Sequence, residues 1–218
     1  MSPLPTQLRN RWADRAEPAA GEGTVYWHML VGDHPEVREV ARAAQDSIGD
    51  VSGFHLTPLQ WLHMTTLVVG STDDVTHDQM TEMVDIANHE LANTPPITVE
   101  LGRVLYHPEA IMLGTRPEGA LSPILKATQT ATRTALGRDG QINSGTSWTP
   151  HMTLLYSTAD QPAEPVISAL GKEVAGCEVT IDRVTLVIQH GAERLWDWQP
   201  VGAAHLQGQP AMSHPSEP

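Results

Sequence analysis

The sequence predicts an α+β fold in which two small antiparallel sheets face each other with helices outside, and three observations carry that expectation. Segments with helical spacing and segments with strand-like alternation interleave along the 218 residues. Two pairs of strand-like runs, near Leu101 to Leu113 and Val184 to Trp198, read as hairpins, which favours antiparallel pairing over a wholly parallel sheet. The tripeptide His-Met-Thr occurs twice, in LHMTTLVVG from Leu62 and in PHMTLLYS from Pro150, 88 residues apart and each time in an apolar frame. One domain of two lobes is the economical organisation for a chain of this length.

Residues 1–23 are polar and rich in Pro and Gly and read as an extension unable to pack by itself; 207–218 read as a disordered tail, leaving a folded body of about 24–206. The body opens with TVYWHMLVG, a strand with Val25, Trp27, Met29 and Val31 on one face and Tyr26 and His28 on the other. Pro35 then starts, and Gly49 stops, a helix through PEVREVARAAQDSIG. The first repeat is a strand, followed by a helix from about Thr76 to Ala92 that Pro95 and Pro96 close off. ITVELGRVLY and AIMLGT form a hairpin turning near His107-Pro108. A helix from about Leu121 to Leu136 ends at Gly137, and a Gly/Ser/Asn/Asp-rich loop leads into the second repeat strand. The rest reads as a helix from Ala163 to Val174, one strand through CEVTIDRVTLVIQ, and a last strand around Arg194 to Gln199.

On a strand every second side chain shares a face, so His63 projects with Thr65 and His151 with Thr153, while Met64 and Met152 point into a core. Each repeat therefore presents one imidazole and one hydroxyl. A third His-x-Thr triplet, His55-Leu56-Thr57, is followed by Pro58, which cannot donate to a ladder, and it reads as a loop. The apolar frame rather than the triplet carries the signal.

A formal charge of −13 with only 13 basic residues argues against long duplex nucleic acid as the ligand, because neutralising a row of phosphates needs a Lys/Arg-rich face. A small anion held by a few local groups is compatible with it. The lone Cys177 offers neither a disulfide framework nor a Cys-based zinc site. Among 11 histidines there is no His-x-His, His-Glu-x-x-His or carboxylate-flanked pair, so no metal and no cofactor is expected. No apolar run approaches a membrane span and the N-terminus lacks a signal-peptide core, so the expectation is a cytoplasmic protein without a membrane partner, monomeric by default.

Paired His-x-Thr strands about 90 residues apart, each in an apolar frame, resemble the 2H phosphoesterase superfamily, also called the 2′-5′ RNA ligase-like family. The resemblance spans about Tyr26 to Trp198. PHMTLLY matches the second family motif closely; LHMTTL matches the first, with Thr66 where an apolar residue is commoner. It implies two pseudo-symmetric lobes across a central cleft with both motifs on its floor, and metal-independent cleavage of a small nucleotide or an RNA end. By that resemblance the leading expectation is opening of a 2′,3′-cyclic phosphate to a 2′-phosphate. His151 is then general base and His63 general acid, roles that the pseudo-symmetry makes exchangeable, and Thr65 and Thr153 donate to the non-bridging oxygens. Tyr26 and His28 are candidates to contact base or sugar, and Trp148 to stack on a base. Trp27 and Trp61 are assigned to packing or the cleft rim without preference. Alternatives in other classes are 2′-5′ ligation or cleavage on the same site, and a non-catalytic nucleotide-binding module on the same fold.

Overall fold

A computed structural model describes residues 4–16, 18–19, 21–49, 51–142 and 148–209. Part of the loop before the second repeat, 143–147, and the tail from 210 lie outside the described residues. In chain order the elements are β1 (Gln7–Leu8), β2 (Gly23–Leu30), α1 (Pro35–Ile48), β3 (Phe54–Leu56), β4 (His63–Ser71), α2 (His77–Leu91), β5 (Ile97–His107), β6 (Ala110–Arg116) and α3 (Ser122–Leu136). Then follow β7 (His151–Ser157), β8 (Gln161–Pro162), α4 (Glu164–Leu170), β9 (Glu173–Ile181), β10 (Arg183–His190) and β11 (Asp197–His205), with 3-10 turns at Leu59–Trp61 and Glu193–Leu195.

The fold is α+β, with strands paired antiparallel in the order β11-β10-β2-β4-β7-β6-β5-β9 and β3 against β7. It divides at the centre, because β4 and β7 share only the Met64–Met152 pair. The two halves, β11-β10-β2-β4 and β7-β6-β5-β9, are thus lobes of one sheet joined at the motif strands. They are not the two halves of the chain. The closing hairpin β10–β11 completes the first-motif lobe and the mid-chain hairpin β5–β6 completes the second. Helices cross over in the same way: α2 and α3 cover the first-motif lobe, α1 and α4 the second.

Local chemistry explains the boundaries. Thr76 and Gln79 form a reciprocal capping box at the start of α2, satisfying two amides that the helix itself leaves bare. Gly49 and Gly137 end α1 and α3 at φ 55° and 66°, backbone that a Cβ would strain. Val25, Trp27, Met29 and Val31 are fully buried, as are Met64 and Met152, and so are helix stripes such as Met83 and Ala87 on α2, Ala131 on α3 and Val37 and Ala41 on α1. Trp27 is a core residue, its Nε1 donating to Thr132 Oγ1 at 3.3 Å across to α3.

Four expectations change. The helix from Ala163 stops at Leu170, because Gly171 turns the chain at φ 66° and Glu173 already starts β9. The single strand through 177–189 is two strands, divided at Asp182, since β9 pairs with β5 and β10 with β2 in opposite lobes. The last strand starts later than Arg194 and runs to His205. His55 lies in the short strand β3, opposite Tyr156, rather than in a loop, because Pro58 falls just beyond its last pair.

The N-terminal segment also packs. Its Leu8 is buried in the main core, β1 pairs with β8, and the amides of Arg9 and Arg11 donate to the carbonyls of Pro108 (2.7 Å) and Ser157 (2.9 Å).

Candidate active site

The Met64–Met152 pairing brings the two repeats together. In that antiparallel register His63 lies across from Thr153 and Thr65 across from His151, with a local two-fold axis between the methionines. Both methionines are buried on the core side, so alternation puts both histidines and both threonines on the opposite, cleft side. The two histidines are diagonal neighbours, a relation that across paired strands spans about 7–8 Å.

Each motif strand carries a β-bulge at the same place. Leu67 pairs with Trp27 and Thr65 with His28, which leaves Thr66 unpaired; Leu155 pairs with Ile111 and Thr153 with Met112, which leaves Leu154 unpaired. In both strands the extra residue is the third after the histidine. The carbonyl of Leu154 is held there by the Thr57 amide and by Gln45 Nε2, both at 2.9 Å. Such a bulge shifts the alternation, so the fifth residue after each histidine joins the cleft face: Val68 in one strand and Tyr156 in the other.

The imidazoles are oriented alike. His63 Nδ1 donates to the carbonyl of Trp61 at 2.8 Å and His151 Nδ1 to that of Thr149 at 2.7 Å. A carbonyl can only accept, so in both rings the proton sits on Nδ1 and Nε2 is left to exchange protons. Burial, the largest cause, lowers the pKa of His63 to about 4 and also lowers that of His151. Among their charged neighbours, Glu193 raises His63 and His151 lowers it, whereas His107 and Arg11 both lower His151.

Around His63 lies an aromatic wall. Its ring is only 8% exposed, with the centroids of Trp198, His28 and Trp196 at 4.4, 4.5 and 5.9 Å. Trp61 packs edge-on to Trp198 at 5.3 Å, and Trp196 stacks on Tyr156 at 5.9 Å while donating through Nε1 to His55 Nε2 at 3.3 Å. Trp196 holds this position with φ 55°, a left-handed conformation that costs a bulky residue on the order of 1–3 kcal/mol. From the N-terminal segment Trp12 sets its ring against His55 (5.5 Å) and Tyr156 (5.6 Å).

The other sequence candidates fall into different layers. His28 is 2% exposed, stacked between Tyr26 and His63, so it backs the site rather than lining it; burial holds its pKa well below 6.5. Tyr26 is partly exposed beside it. Trp148 packs partly into the main core and donates Nε1 to the Thr65 carbonyl at 3.1 Å, tying the approach to the second motif onto the first. Trp61 sits at the cleft rim. Sequence reasoning did not select Tyr156, Trp196, Trp198, Arg11, Trp12 or Glu193. Neither Trp196, which lies ahead of β11 in a left-handed turn, nor the bulge that turns Tyr156 inward leaves a sequence signature. Among the described residues no group of three or more His, Cys, Asp or Glu side chains is arranged to hold a metal ion, and no helix is long and apolar enough to cross a membrane.

The depressed pKa of His63 predicts acid sensitivity. In the unfolded chain the ring takes up a proton near pH 6.5, in the folded one near 4, so stability is present above 6.5 and is lost as the pH falls toward 4. The loss from this ring amounts to about 3 kcal/mol. Urea unfolding at pH 7.5 and 4.5 is expected to show it, with a flatter dependence in His63→Leu; equal midpoints at the two pH values exclude it.

The bilobal sheet thus carries paired imidazole and hydroxyl groups on one face, where its two lobes join. The model of the 2′-5′ RNA ligase superfamily matches residues 32–193, and the chain belongs to that family, with which a phosphodiesterase or ligase type of function goes. Among solved structures, the TT0787 protein of Thermus thermophilus is similar at a TM-score of 0.66 and 16% identity, covering 85% of this chain and 99% of that one. The LigT protein of E. coli, solved with ATP, is similar at a TM-score of 0.64 and 14% identity, covering 86% and 99%. At such identities the likeness is one of fold. No curated protein matches the sequence.

Proposed function

We propose that the protein is a metal-independent phosphodiesterase that opens a 2′,3′-cyclic phosphate on a small nucleotide or RNA end to a 2′-phosphate. His151 Nε2 takes a proton from water, the water oxygen bonds to phosphorus, the bond from phosphorus to the 3′ oxygen breaks, and His63 gives that oxygen its proton. Thr65 and Thr153 donate to the non-bridging oxygens, where charge builds. The observation behind this reading is the Met64–Met152 register, which brings to one face of the joined strands two imidazoles, each held through Nδ1 by a backbone carbonyl, and two hydroxyls.

Burial, the largest influence on both rings, drives them toward the neutral form in the free protein, His63 to about 4, and a bound anion raises both; Glu193 raises His63 and His151 lowers it, while His107 and Arg11 lower His151, so the acid and base roles are exchangeable between the two rings. Small substrates suit the chain's charge of −13, and LigT structures hold ATP, NADP+ and 3′-AMP. The family name favours a second reading, 2′-5′ bond cleavage or joining, which uses the same acid and base in either direction.

The test is incubation with 2′,3′-cyclic nucleotides and 2′-5′ dinucleotides in EDTA, with products read by phosphorus NMR. A 2′-phosphate from the cyclic substrate is expected. No turnover of any of these, or turnover abolished by EDTA, overturns the proposal.

A further inference from the structure

The family match begins at residue 32, yet residues from the N-terminal segment reach the cleft. Arg11 lies 4.5 Å over the ring of Tyr156, which shares the cleft face of β7 with His151 and Thr153. Its Nε and Nη2 grip both oxygens of Glu193, at 2.7 and 2.6 Å, and its Nη1 reaches Glu109 at 3.3 Å. Glu193 belongs to the turn whose Trp196 packs on His63; Glu109 belongs to the β5–β6 turn, next to Ala110, which pairs with Tyr156. Arg15 closes on Glu109 from outside at 2.6 Å. Two carboxylates therefore flank the entrance to the histidines, and one guanidinium, its side chain only 14% exposed, lies between them.

An anion entering a protein of charge −13 meets a repulsive field, and two uncompensated carboxylates at the site would strengthen it where screening by water is weakest. We propose, building on the phosphodiesterase reading, that the N-terminal segment is a working wall of the cleft, and that Arg11 is a positioning residue that neutralises Glu109 and Glu193 and so admits an anionic phosphate to His63 and His151. The carboxylates keep the guanidinium desolvated but paired, fixed over Tyr156, and the entrance carries no net charge from the trio beyond what Arg15 offsets. Burial, the largest single influence, works against the charge on Arg11, and the hydrogen bonds to Glu193 together with the charges of Tyr156, Glu193 and Glu109 outweigh it. Glu193 shows the converse: burial alone would raise its carboxyl, and the bonds and charge of Arg11 hold it below the usual range.

The experiment measures binding of inorganic phosphate to the full chain by calorimetry and phosphorus NMR, independently of turnover. Arg11→Gln is expected to weaken phosphate binding about tenfold, an effect that added salt reduces. Arg11→Gln combined with Glu109→Gln and Glu193→Gln is expected to restore it to within threefold, since the charges go together. A purely structural role for Arg11 predicts a further loss in the triple variant, and that result overturns the proposal, as does wild-type affinity in folded Arg11→Gln. Should Arg11→Gln alone fail to fold, the charge-free triple variant still decides: phosphate binding near the wild-type value supports the proposal, and weak binding by a folded triple variant overturns it. If the wild-type protein binds no phosphate at all, the phosphodiesterase reading falls with it.

Discussion

Replacing either His63 or His151 by alanine is expected to lower turnover of a 2′,3′-cyclic nucleotide by several hundredfold or more, within the range of roughly 10²–10⁴ for an acid or base placed in a transition state. The reason is geometric. Each ring offers one free nitrogen, Nε2, because Nδ1 is committed to the carbonyl of Trp61 or Thr149, so no other atom of either motif can take over the proton. The double variant is expected to lose little more than the worse single one, since water activation without leaving-group protonation stalls at the same barrier. Circular dichroism and thermal melts guard the reading. His151 is partly exposed and its removal disturbs little, whereas His63 is walled by Trp198 and His28, so His63→Gln serves as a second, space-filling variant. Near wild-type turnover in either folded His63→Gln or His151→Ala removes that histidine from the chemistry.

What the sequence made legible was the part of the site fixed by local rules. Alternation alone puts His63 with Thr65 and His151 with Thr153, and the buried methionines between them agree. Helix stops at Gly49 and Gly137 were readable because a left-handed residue after a helix calls for glycine. Tertiary facts were not. The strand through 177–189 breaks at Asp182 because its two ends serve different lobes, which no window of sequence shows. The N-terminal segment is polar and Pro-rich and reads as an extension, yet Arg11 finds Glu109 and Glu193 in turns 98 and 182 positions away. Its binding energy comes from partners that only the folded body assembles. Nor does any residue type announce a bulge; Thr66 and Leu154 look like ordinary strand residues, and only the register shows that the strands are offset at matching points.

Those matching bulges bear on the hydroxyls. By holding the same offset after each motif, the two strands present Thr65 and Thr153 symmetrically, and if both donate to non-bridging oxygens each is worth about the same. Thr65→Val and Thr153→Val, which keep shape and remove the donor, are each expected to lower kcat by roughly 10²–10³ with a smaller change in KM, because the bond strengthens as charge develops. Thr→Ser at either position keeps the donor and is expected to retain most of the activity. The two positions also differ in a way that predicts which loss is larger. Thr153 is 7% exposed, with the Tyr156 hydroxyl in hydrogen-bonding reach, and burial pushes that hydroxyl up to about 12, so it stays protonated and can orient its neighbour. Thr65 faces Val68 at the equivalent site and has no such support from its own strand. Thr153→Val is therefore expected to cost more than Thr65→Val, and Tyr156→Phe to narrow that gap without abolishing turnover. Equal losses that Tyr156→Phe leaves unchanged show that the hydroxyl plays no part. A loss confined to KM shows that the threonines bind substrate and transition state alike, and so do not drive the chemical step.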